Sequence, residues 1–234
     1  MKAALVVVDM QEDFCPPNGS LAVDGARLLA PTINALLAHP GFTFRVASQD
    51  YHPANHISFA SNHAAPNNRP FDCTITLTNP APGKQSQTKP QRLWPVHCVE
   101  GTPGAALIPE LDASAFDLHI RKGMDARVEM YSVFADAFGN TDLELNRSSV
   151  DHDLGVELRR RGVTAVFSVG VAGDYCVKST AIDAARAGFR SYFVEDATRC
   201  VDPTVGWEEA KEELREAGVV IVRSDGPEIA DLQG

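Results

Sequence analysis

The sequence predicts a three-layer α/β/α protein in which helices cover both faces of a six-stranded, mainly parallel sheet. Short apolar runs alternate along the chain with segments whose apolar residues recur at helical spacing, the order that produces parallel strands joined by helices. The runs at 3–8 and 163–169 are largely apolar and rich in β-branched residues, as expected for strands buried on both faces of a sheet. No internal repeat or linker divides the chain, so we expect one domain over residues 1–234.

The individual elements follow from the same patterns. Strands are expected at residues 3–8, 42–48, 117–121, 163–169, 190–194 and 219–222. Helical spacing predicts a short helix at 107–111, a helix after Asp174 as its N-cap, and longer helices at 25–39, 154–161 and 207–217. Residues 51–104 show little periodicity and many Pro, Asn, Thr and Gln residues, which predicts a long functional or mobile loop. Residues 123–150 predict a loop with short elements.

Charge and composition exclude several kinds of partner. The formal net charge is −10, whereas nucleic acids and anionic membranes attract basic surfaces. No run approaches the ~18 apolar residues of a membrane span, and the apolar part of the N-terminus is too short for a secretory signal. The five cysteines are odd in number and form no CxxC pair, which fits free thiols in a reducing, cytoplasmic compartment.

Polar side chains collect at one edge of the predicted sheet. Asp9, Asp50 and Lys122 follow the carboxyl ends of three strands, and a turn after a fourth strand leads to Cys176. Ligands of open α/β sheets bind at this edge. A thiol nucleophile needs a group that takes its proton and later returns it, so Asp9, Lys122 and Cys176 form a candidate catalytic set. The alternative is an ordinary ion pair between Asp9 and Lys122 at the strand ends.

Cys176 lies at the start of the helix that follows the turn from Gly170 to Gly173. Unpaired N–H groups and the positive end of the helix dipole lie there, and both favour a thiolate. Position alone does not decide between a reactive thiolate and a buried, inert thiol. The tight turn either presents N–H groups to an oxyanion or is a plain connection between strand and helix.

Asp50 and His52 point to one face of an extended segment, because residues i and i+2 do so in a strand. His56 follows shortly afterwards, and His97 lies in the segment WPVHCVEGTPG. One carboxylate and two or three imidazoles suit Zn²⁺ or a similar divalent ion. The alternative is that these are ordinary exposed residues of a loop. For Asp50 with His52 the two interpretations have equal weight, whereas for His56 the exposed loop histidine is favoured.

Aromatic residues lie in loops or helix starts at the same edge, namely Phe14, Trp94, Tyr131 and Tyr175. They are candidates for the wall of a pocket that holds a flat aromatic substrate. Core packing is the alternative, and it is less favoured for Phe14 and Trp94 because each lies beside prolines in a loop.

The sequence resembles the nicotinamidase branch of the isochorismatase-like cysteine hydrolases over nearly its whole length. The segments that carry the resemblance are VVVDMQEDFCPPNGSLAV at 6–23, SQDYHPANHISFAS at 48–61, WPVHCVEGTPGA at 94–105, RKG at 121–123 and VGVAGDYCVKSTAIDAARAG at 169–188. The DxH pattern together with WPxHCVxGTPG is specific to the metal-bearing amidase branch. The resemblance implies an isochorismatase-like, Rossmann-like α/β fold. The sequence departs from the family pattern at two places. Gly173 replaces a residue that is larger and often polar in many relatives, which implies a looser turn. The segment 62–93 is longer than in compact bacterial forms.

The resemblance also implies roles for individual residues. Cys176 would be the nucleophile, Asp9 the general base and acid, and Lys122 the cation that orients and balances them. Val171–Ala172 would be a cis peptide whose turn, together with the Cys176 N–H, forms an oxyanion hole. The metal ligands would be Asp50, His52 and His97, with His56 as a weaker candidate. The pocket wall would comprise Phe14, Leu21, Trp94 and Tyr131.

For the whole chain, the resemblance implies an enzyme of NAD salvage that hydrolyses nicotinamide to nicotinate and ammonia through a cysteine thioester and also accepts pyrazinamide. It implies Zn²⁺ as the cofactor, with Fe²⁺ or Mn²⁺ as alternatives, and a small molecule as the partner, with a homo-oligomer as a further option. Two other functions stay open. One is a metal-independent hydrolase of another small amide or enol ether, and the other is a catalytically silent nicotinamide-binding module.

Overall fold

A computed structural model describes residues 1–141 and 149–233 of the chain. Its strands are β1 (Ala3–Val8), β2 (Phe42–Asp50), β3 (Thr74–Thr78), β4 (Thr88–Arg92), β5 (Leu118–Lys122), β6 (Ala165–Val171), β7 (Arg190–Arg199) and β8 (Val220–Val222). Within the described ranges, six of them form one sheet in the order β5-β2-β1-β6-β7-β8. Every pairing in this sheet is parallel, so the predicted α/β fold is confirmed.

Helices cover both faces of the sheet. They are α1 (Ala30–Ala38), α2 (Leu154–Arg160), α3 (Lys178–Arg186), α4 (Val205–Glu216) and α5 (Pro227–Ala230). One apolar core lies between the sheet and α1 and α5, and the other lies between the sheet and α2, α3 and α4. Every residue of β1 and β6 is buried, because helices on both sides leave these central strands no solvent-facing side. No helix in the described part of the chain combines the length and apolar character that a membrane crossing needs.

The predicted short helix at 107–111 is wrong. Leu107 forms an isolated antiparallel bridge with Gln11, and the Ile108 N–H donates to the Met10 carbonyl at 3.0 Å. Ile108 and Leu111 are buried, and the Leu111 N–H donates to the Ile108 carbonyl at 3.2 Å, so these apolar residues anchor a turn beside the loop at 11–21. A run of this length cannot repay the cost of helix nucleation, whereas pairing with that loop satisfies its backbone directly.

Residues 51–104, predicted as a long loop, contain the antiparallel hairpin of β3 and β4. The alternation that marks a strand is faint here, because only Leu77 in β3 and Gln91 in β4 are buried. Pro90 lies inside β4, and proline inside a run argues against a strand unless that strand is at an edge. The sequence pattern therefore conceals this hairpin, which packs beside the functional site described below.

β7 extends to Arg199, beyond the predicted end at residue 194. The acidic residues Glu195 and Asp196 interrupt the apolar pattern, yet Gly170 and Val171 pair with Thr198 and Arg199 after a register shift. The longer strand brings the segment after Arg199 to the carboxyl edge of the sheet. The four adjacent strands β5, β2, β1 and β6 end at this same edge.

Candidate active site

Three polar residues from neighbouring strands meet around the amino group of Lys122. Lys122 and Asp50 are the last residues of β5 and β2 and are register partners, and Asp9 directly follows β1. Lys122 Nζ lies 2.9 Å from Asp9 Oδ2, donates a short hydrogen bond to Asp50 Oδ1 and lies 3.6 Å from Cys176 Sγ. The structure thus brings together the candidate catalytic set that the strand ends predicted.

Lys122 is a fully buried cation shared by two buried carboxylates. Burial alone lowers the pKa of its amino group, but the charges of Asp50 and Asp9 together raise that pKa well above the ordinary value. Burial alone raises the pKa of the Asp50 carboxyl. The positive charge of Lys122 and the neighbouring His52 outweigh burial and hold that pKa well below the usual range. Lys122 also donates to the Met130 carbonyl at 3.0 Å. A charged ammonium group therefore sits fixed between the two acids.

Asp9 is the acid that this arrangement leaves with a raised pKa. Burial is the largest influence, and although Lys122 opposes it, the pKa of Asp9 rises from 3.8 to about 6. Ser48 Oγ donates to Oδ1 at 2.7 Å, while Oδ2 accepts no hydrogen bond among the described residues beyond its ion-pair contact with Lys122. The backbone of Asp9 is left-handed, with φ of 50°, a conformation that aspartate tolerates better than most residues. Such a carboxylate can both accept and return a proton near neutral pH.

Cys176 is buried, and its burial disfavours the thiolate. Burial raises the pKa of the thiol well above the ordinary value, against the opposing effect of Lys122. The expectation that the helix start eases ionisation is therefore wrong. The first turn is a π-helix, Gly173–Val177, in which the N–H groups of Tyr175 and Val177 donate to the Ala172 carbonyl. A carboxylate oxygen of Asp9 lies within 4.8 Å of Cys176 Sγ, so a base for the thiol is at hand.

The turn before Cys176 is tightly packed. The Val171–Ala172 peptide is cis, the geometry that the resemblance implied. A Cβ atom on Gly173 would lie 2.8 Å from both Cys200 Sγ and Thr198 Cγ2, so the turn is closed by its neighbours rather than loosened by the glycine.

Asp174 does not cap the helix, contrary to the prediction. Its carboxylate oxygens accept hydrogen bonds from the backbone N–H groups of Val201 and Asp202, each at 2.9 Å. Because these bonds satisfy a buried carboxylate, they tie the Cys176 turn to the segment that follows β7.

Asp50, His52 and His97 form a cluster suited to a divalent metal ion. One potential ligand atom from each lies within 4.8 Å of the others, and the Nε2 atoms of His52 and His97 lie 3.5 and 3.9 Å from Asp50 Oδ2. Each histidine places Nδ1 2.7 Å from a backbone carbonyl, that of Gly123 or of Pro95. This contact leaves the Nε2 lone pair for a metal.

The environment of His52 Nε2 indicates whether this cluster suits a metal ion. This nitrogen is fully buried and has no hydrogen-bond partner among the described residues. Buried polar atoms are rarely left without a partner, and a metal ion ligated there would satisfy this one. The donor set of one carboxylate and two imidazoles suits Zn²⁺ and related divalent ions, so the residues present fit the group.

His56 and Glu129 form a second potential ligand group with His52. His56 places Nδ1 2.8 Å from Ser58 Oγ and Nε2 3.2 Å from the Val128 carbonyl, so both ring nitrogens have protein partners. Burial and the neighbouring His52 lower its pKa to about 4, which keeps the ring neutral. The structure therefore sets His56 apart from the cluster of Asp50, His52 and His97.

Sequence reasoning missed Glu129. This carboxylate is buried, lies in a second potential ligand group with His52 and His56, and lines the same cavity as Cys176. A charged residue inside the apolar segment VEMY, shortly after Lys122, was the available signal.

The predicted pocket residues line a cavity beside Cys176. Its wall consists of Phe14, Leu21, Val23, Asp50, Trp94, His97, Glu129, Tyr131, Ala172, Tyr175, Cys176 and Val201. The wall thus joins the thiol and two potential metal ligands to aromatic rings in one space. The Tyr131 hydroxyl accepts hydrogen bonds from Trp94 Nε1 at 2.9 Å and from Gln91 Nε2 at 2.7 Å. Gln91 belongs to β4, so the hairpin holds one wall of the cavity in place.

Fold and site together define a class of protein: a parallel α/β enzyme with a buried thiol, acid and lysine beside a potential metal centre. Residues 3–225 match the model of the Isochorismatase domain. The chain therefore belongs to the isochorismatase family, and it is a hydrolase.

Relatives of known activity support the same placement. The chain is 42% identical to a nicotinamidase of Acinetobacter baylyi, over 94% of this chain and 92% of that protein. Its structure is similar to that of the yeast nicotinamidase bound to the inhibitor nicotinaldehyde, with a TM-score of 0.82, 34% identity, and coverage of 95% and 100%. It is also similar to the pyrazinamidase of Pyrococcus horikoshii in complex with zinc, with a TM-score of 0.68, 33% identity, and coverage of 95% and 99%.

Proposed function

We propose that the chain hydrolyses nicotinamide to nicotinate and ammonia. The observation that carries this proposal is the single cavity in which Cys176, His97 and Asp50 meet an aromatic wall. Aromatic side chains pack favourably against a flat ring, and a substrate ring bound among them would present its carboxamide to the thiol. The nicotinamidase relatives support the choice of substrate. Pyrazinamide should also react, since it has the same ring-nitrogen and amide geometry.

Asp50, His52 and His97 are the residues that would hold a metal ion in this site. When bound, a divalent ion such as Zn²⁺ supplies a Lewis-acidic position for the ring nitrogen of the substrate. The zinc complex of the Pyrococcus horikoshii pyrazinamidase favours Zn²⁺, with Fe²⁺ or Mn²⁺ as alternatives. The three side chains thereby orient the ring, and Phe14 and Trp94 exclude water around it.

The first half of the reaction forms a thioester. Asp9 accepts the Cys176 proton on a carboxylate oxygen, and the sulfur attacks the carboxamide carbon. The N–H groups of Ala172 and Cys176 would donate to the oxyanion. Asp9 returns the proton to the leaving nitrogen as the C–N bond breaks, and ammonia departs. Lys122 keeps its positive charge throughout and stabilises negative charge on Asp9 and the sulfur.

The second half hydrolyses the thioester. A water molecule gives a proton to Asp9 and attacks the carbonyl carbon, and the C–S bond breaks. The proton on Asp9 passes to the sulfur, which restores the neutral thiol. The product forms as nicotinic acid, gives its remaining proton to solvent and leaves as nicotinate. One acid serves both halves because its pKa of about 6 lets it bind and release a proton near neutral pH.

Ammonia release from a matched pair of amides tests the proposal. Nicotinamide and benzamide carry the same carboxamide, but benzamide lacks the ring nitrogen. We expect turnover of nicotinamide, and a kcat/KM for benzamide lower by roughly a hundredfold or more because the polar site is left unpaired. Binding of nicotinamide without ammonia release would instead identify a silent binding module. Equal turnover of both amides, unchanged after dialysis against a chelator, would identify a metal-independent amidase.

A further inference from the structure

Gly123 occupies a position that a side chain cannot share with His52. It follows Lys122 at the end of β5, and its φ of +69° is left-handed. A Cβ atom built on Gly123 would lie 2.4 Å from His52 Cε1 and 2.7 Å from Nδ1. These separations are far below ordinary van der Waals contact. Either the imidazole or the backbone at residue 123 would have to move to admit even a methyl group.

The His52 ring has no room to retreat. It is fully buried, and its centroid lies 4.1 Å from that of His56, 5.1 Å from that of His97 and 5.5 Å from that of Phe59. Close-packed interiors resist added volume by shifting side chains off their favoured rotamers. A methyl group at residue 123 would therefore turn the ring and redirect Nε2 away from Asp50.

The backbone of the same residue holds the other end of the ring. The Gly123 carbonyl lies 2.7 Å from His52 Nδ1, so that nitrogen donates to the carbonyl, and Nε2 is the nitrogen that faces Asp50. The preceding carbonyl, that of Lys122, accepts from the Tyr51 N–H at 2.9 Å. Two successive carbonyls of the 122–123 segment thus clamp the 51–52 segment.

We infer that Gly123 is a positioning residue for metal binding, acting through His52. It orients the imidazole by leaving space for the ring and by accepting a hydrogen bond from Nδ1 through its carbonyl. Because Gly123 adjoins Lys122, one short segment sets both the amino group at the thiol and a ligand of the metal. The inference rests on the proposed metal centre of Asp50, His52 and His97.

Metal affinity of the Gly123→Ala variant tests this inference, with Gly162→Ala as the matched control. Gly162 has a nearly identical φ of +66°, but a Cβ there meets nothing within 4 Å. Both changes force alanine into a left-handed conformation, so their difference isolates the contact with His52. Competition of Zn²⁺ with a chromogenic chelator gives the affinity, and the visible spectrum of the Co²⁺ form reports the ligand geometry.

We expect Gly123→Ala to bind Zn²⁺ about 10- to 100-fold more weakly than wild type, the range for lost support of a ligand histidine, with a changed Co²⁺ spectrum. Gly162→Ala should match wild type in both. If wild type binds metal and Gly123→Ala binds it equally well, the inference fails while the proposed function stands. If wild type itself binds no metal, the metal-assisted function fails and the inference fails with it.

A second comparison covers the case in which Gly123→Ala does not fold. Removing the ring with His52→Ala should relieve the clash, so Gly123→Ala should lower the melting temperature of that background no more than Gly162→Ala does. Folding of the double variant beside an unfolded Gly123→Ala would support the inference. An equal loss of melting temperature in both backgrounds would overturn it, because Gly123 would then not act through His52.

Discussion

Asp9 and Asp50 are two buried carboxylates with opposite tendencies, and one shared lysine explains the difference. Lys122 makes the shorter contact with Asp50, which also faces His52 and His97, and this acid stays ionised. Burial raises the pKa of Asp9, and the charge of Asp50 adds to the rise, while the longer contact with Lys122 does not offset them. The sequence predicted these residues from the strand ends. The pKa directions depend on the balance between burial and neighbouring charges, which is a property of the packed site. For the same reason the helix-start argument misjudged the thiol of Cys176.

The raised pKa of Asp9 predicts an acid limb in the pH profile. The reaction needs Asp9 as a carboxylate to accept the thiol proton, and its pKa is about 6 rather than 3.8. kcat/KM for nicotinamide should therefore fall as the pH drops through about 6, where Asp9 takes up a proton. Steady-state ammonia release across pH 4 to ~9 gives the profile. A limb that stays near the ordinary pKa of aspartate would contradict the raised pKa of Asp9.

Lys122→Met should lower the free energy of unfolding by about 3–5 kcal/mol, because it leaves two buried carboxylates without their cation. Lys178→Met is the control, since Lys178 pairs with Glu213, whose side chain is 52% exposed. That change should cost less than about 1 kcal/mol. Urea unfolding at neutral pH measures both. Equal losses in the two variants would mean that the carboxylates do not depend on Lys122.

At the scale of elements, the long strands and helices follow from apolar periodicity, whereas the hairpin of β3 and β4 does not. It is stabilised by tertiary contacts, such as Asn140 Nδ2 donating to Asn79 Oδ1 at 3.0 Å and Lys89 Nζ donating to the Ala137 carbonyl at 2.7 Å. Such contacts leave no periodic trace in the sequence, which also explains why Gln91 was not foreseen as a support of the pocket.

Gln91→Leu should raise the KM for nicotinamide and leave kcat nearly unchanged. It removes one of two hydrogen bonds that orient the Tyr131 hydroxyl, a loss of about 1 kcal/mol, or roughly fivefold in KM. Gln85→Leu is the control, because Gln85 lies in the same hairpin region and, among the described residues, donates only to the Ala81 carbonyl in its own turn. An unchanged KM in Gln91→Leu, or equal KM values in both variants, would show that the hairpin does not support substrate binding through Gln91.

At the scale of the whole molecule, the site is a product of strand order. Asp9, Asp50, Lys122 and Cys176 are spread over 168 positions of sequence, yet the order β5-β2-β1-β6 makes their strands neighbours. Alternation of strands and helices was enough to predict a parallel sheet and a shared edge. It was not enough to predict which residues touch across that edge: Glu129 and the contact between Gly123 and His52 appear only once the segments pack.

Turnover by the Cys176→Ala variant is the most direct measurement of the central claim that this thiol carries the acyl group. Wild type and variant should be compared by ammonia release from nicotinamide at equal metal content and equal pH. The account predicts that kcat falls by roughly a thousandfold or more, because loss of a nucleophile leaves only binding and oxyanion stabilisation. Turnover by Cys176→Ala within tenfold of wild type would contradict it.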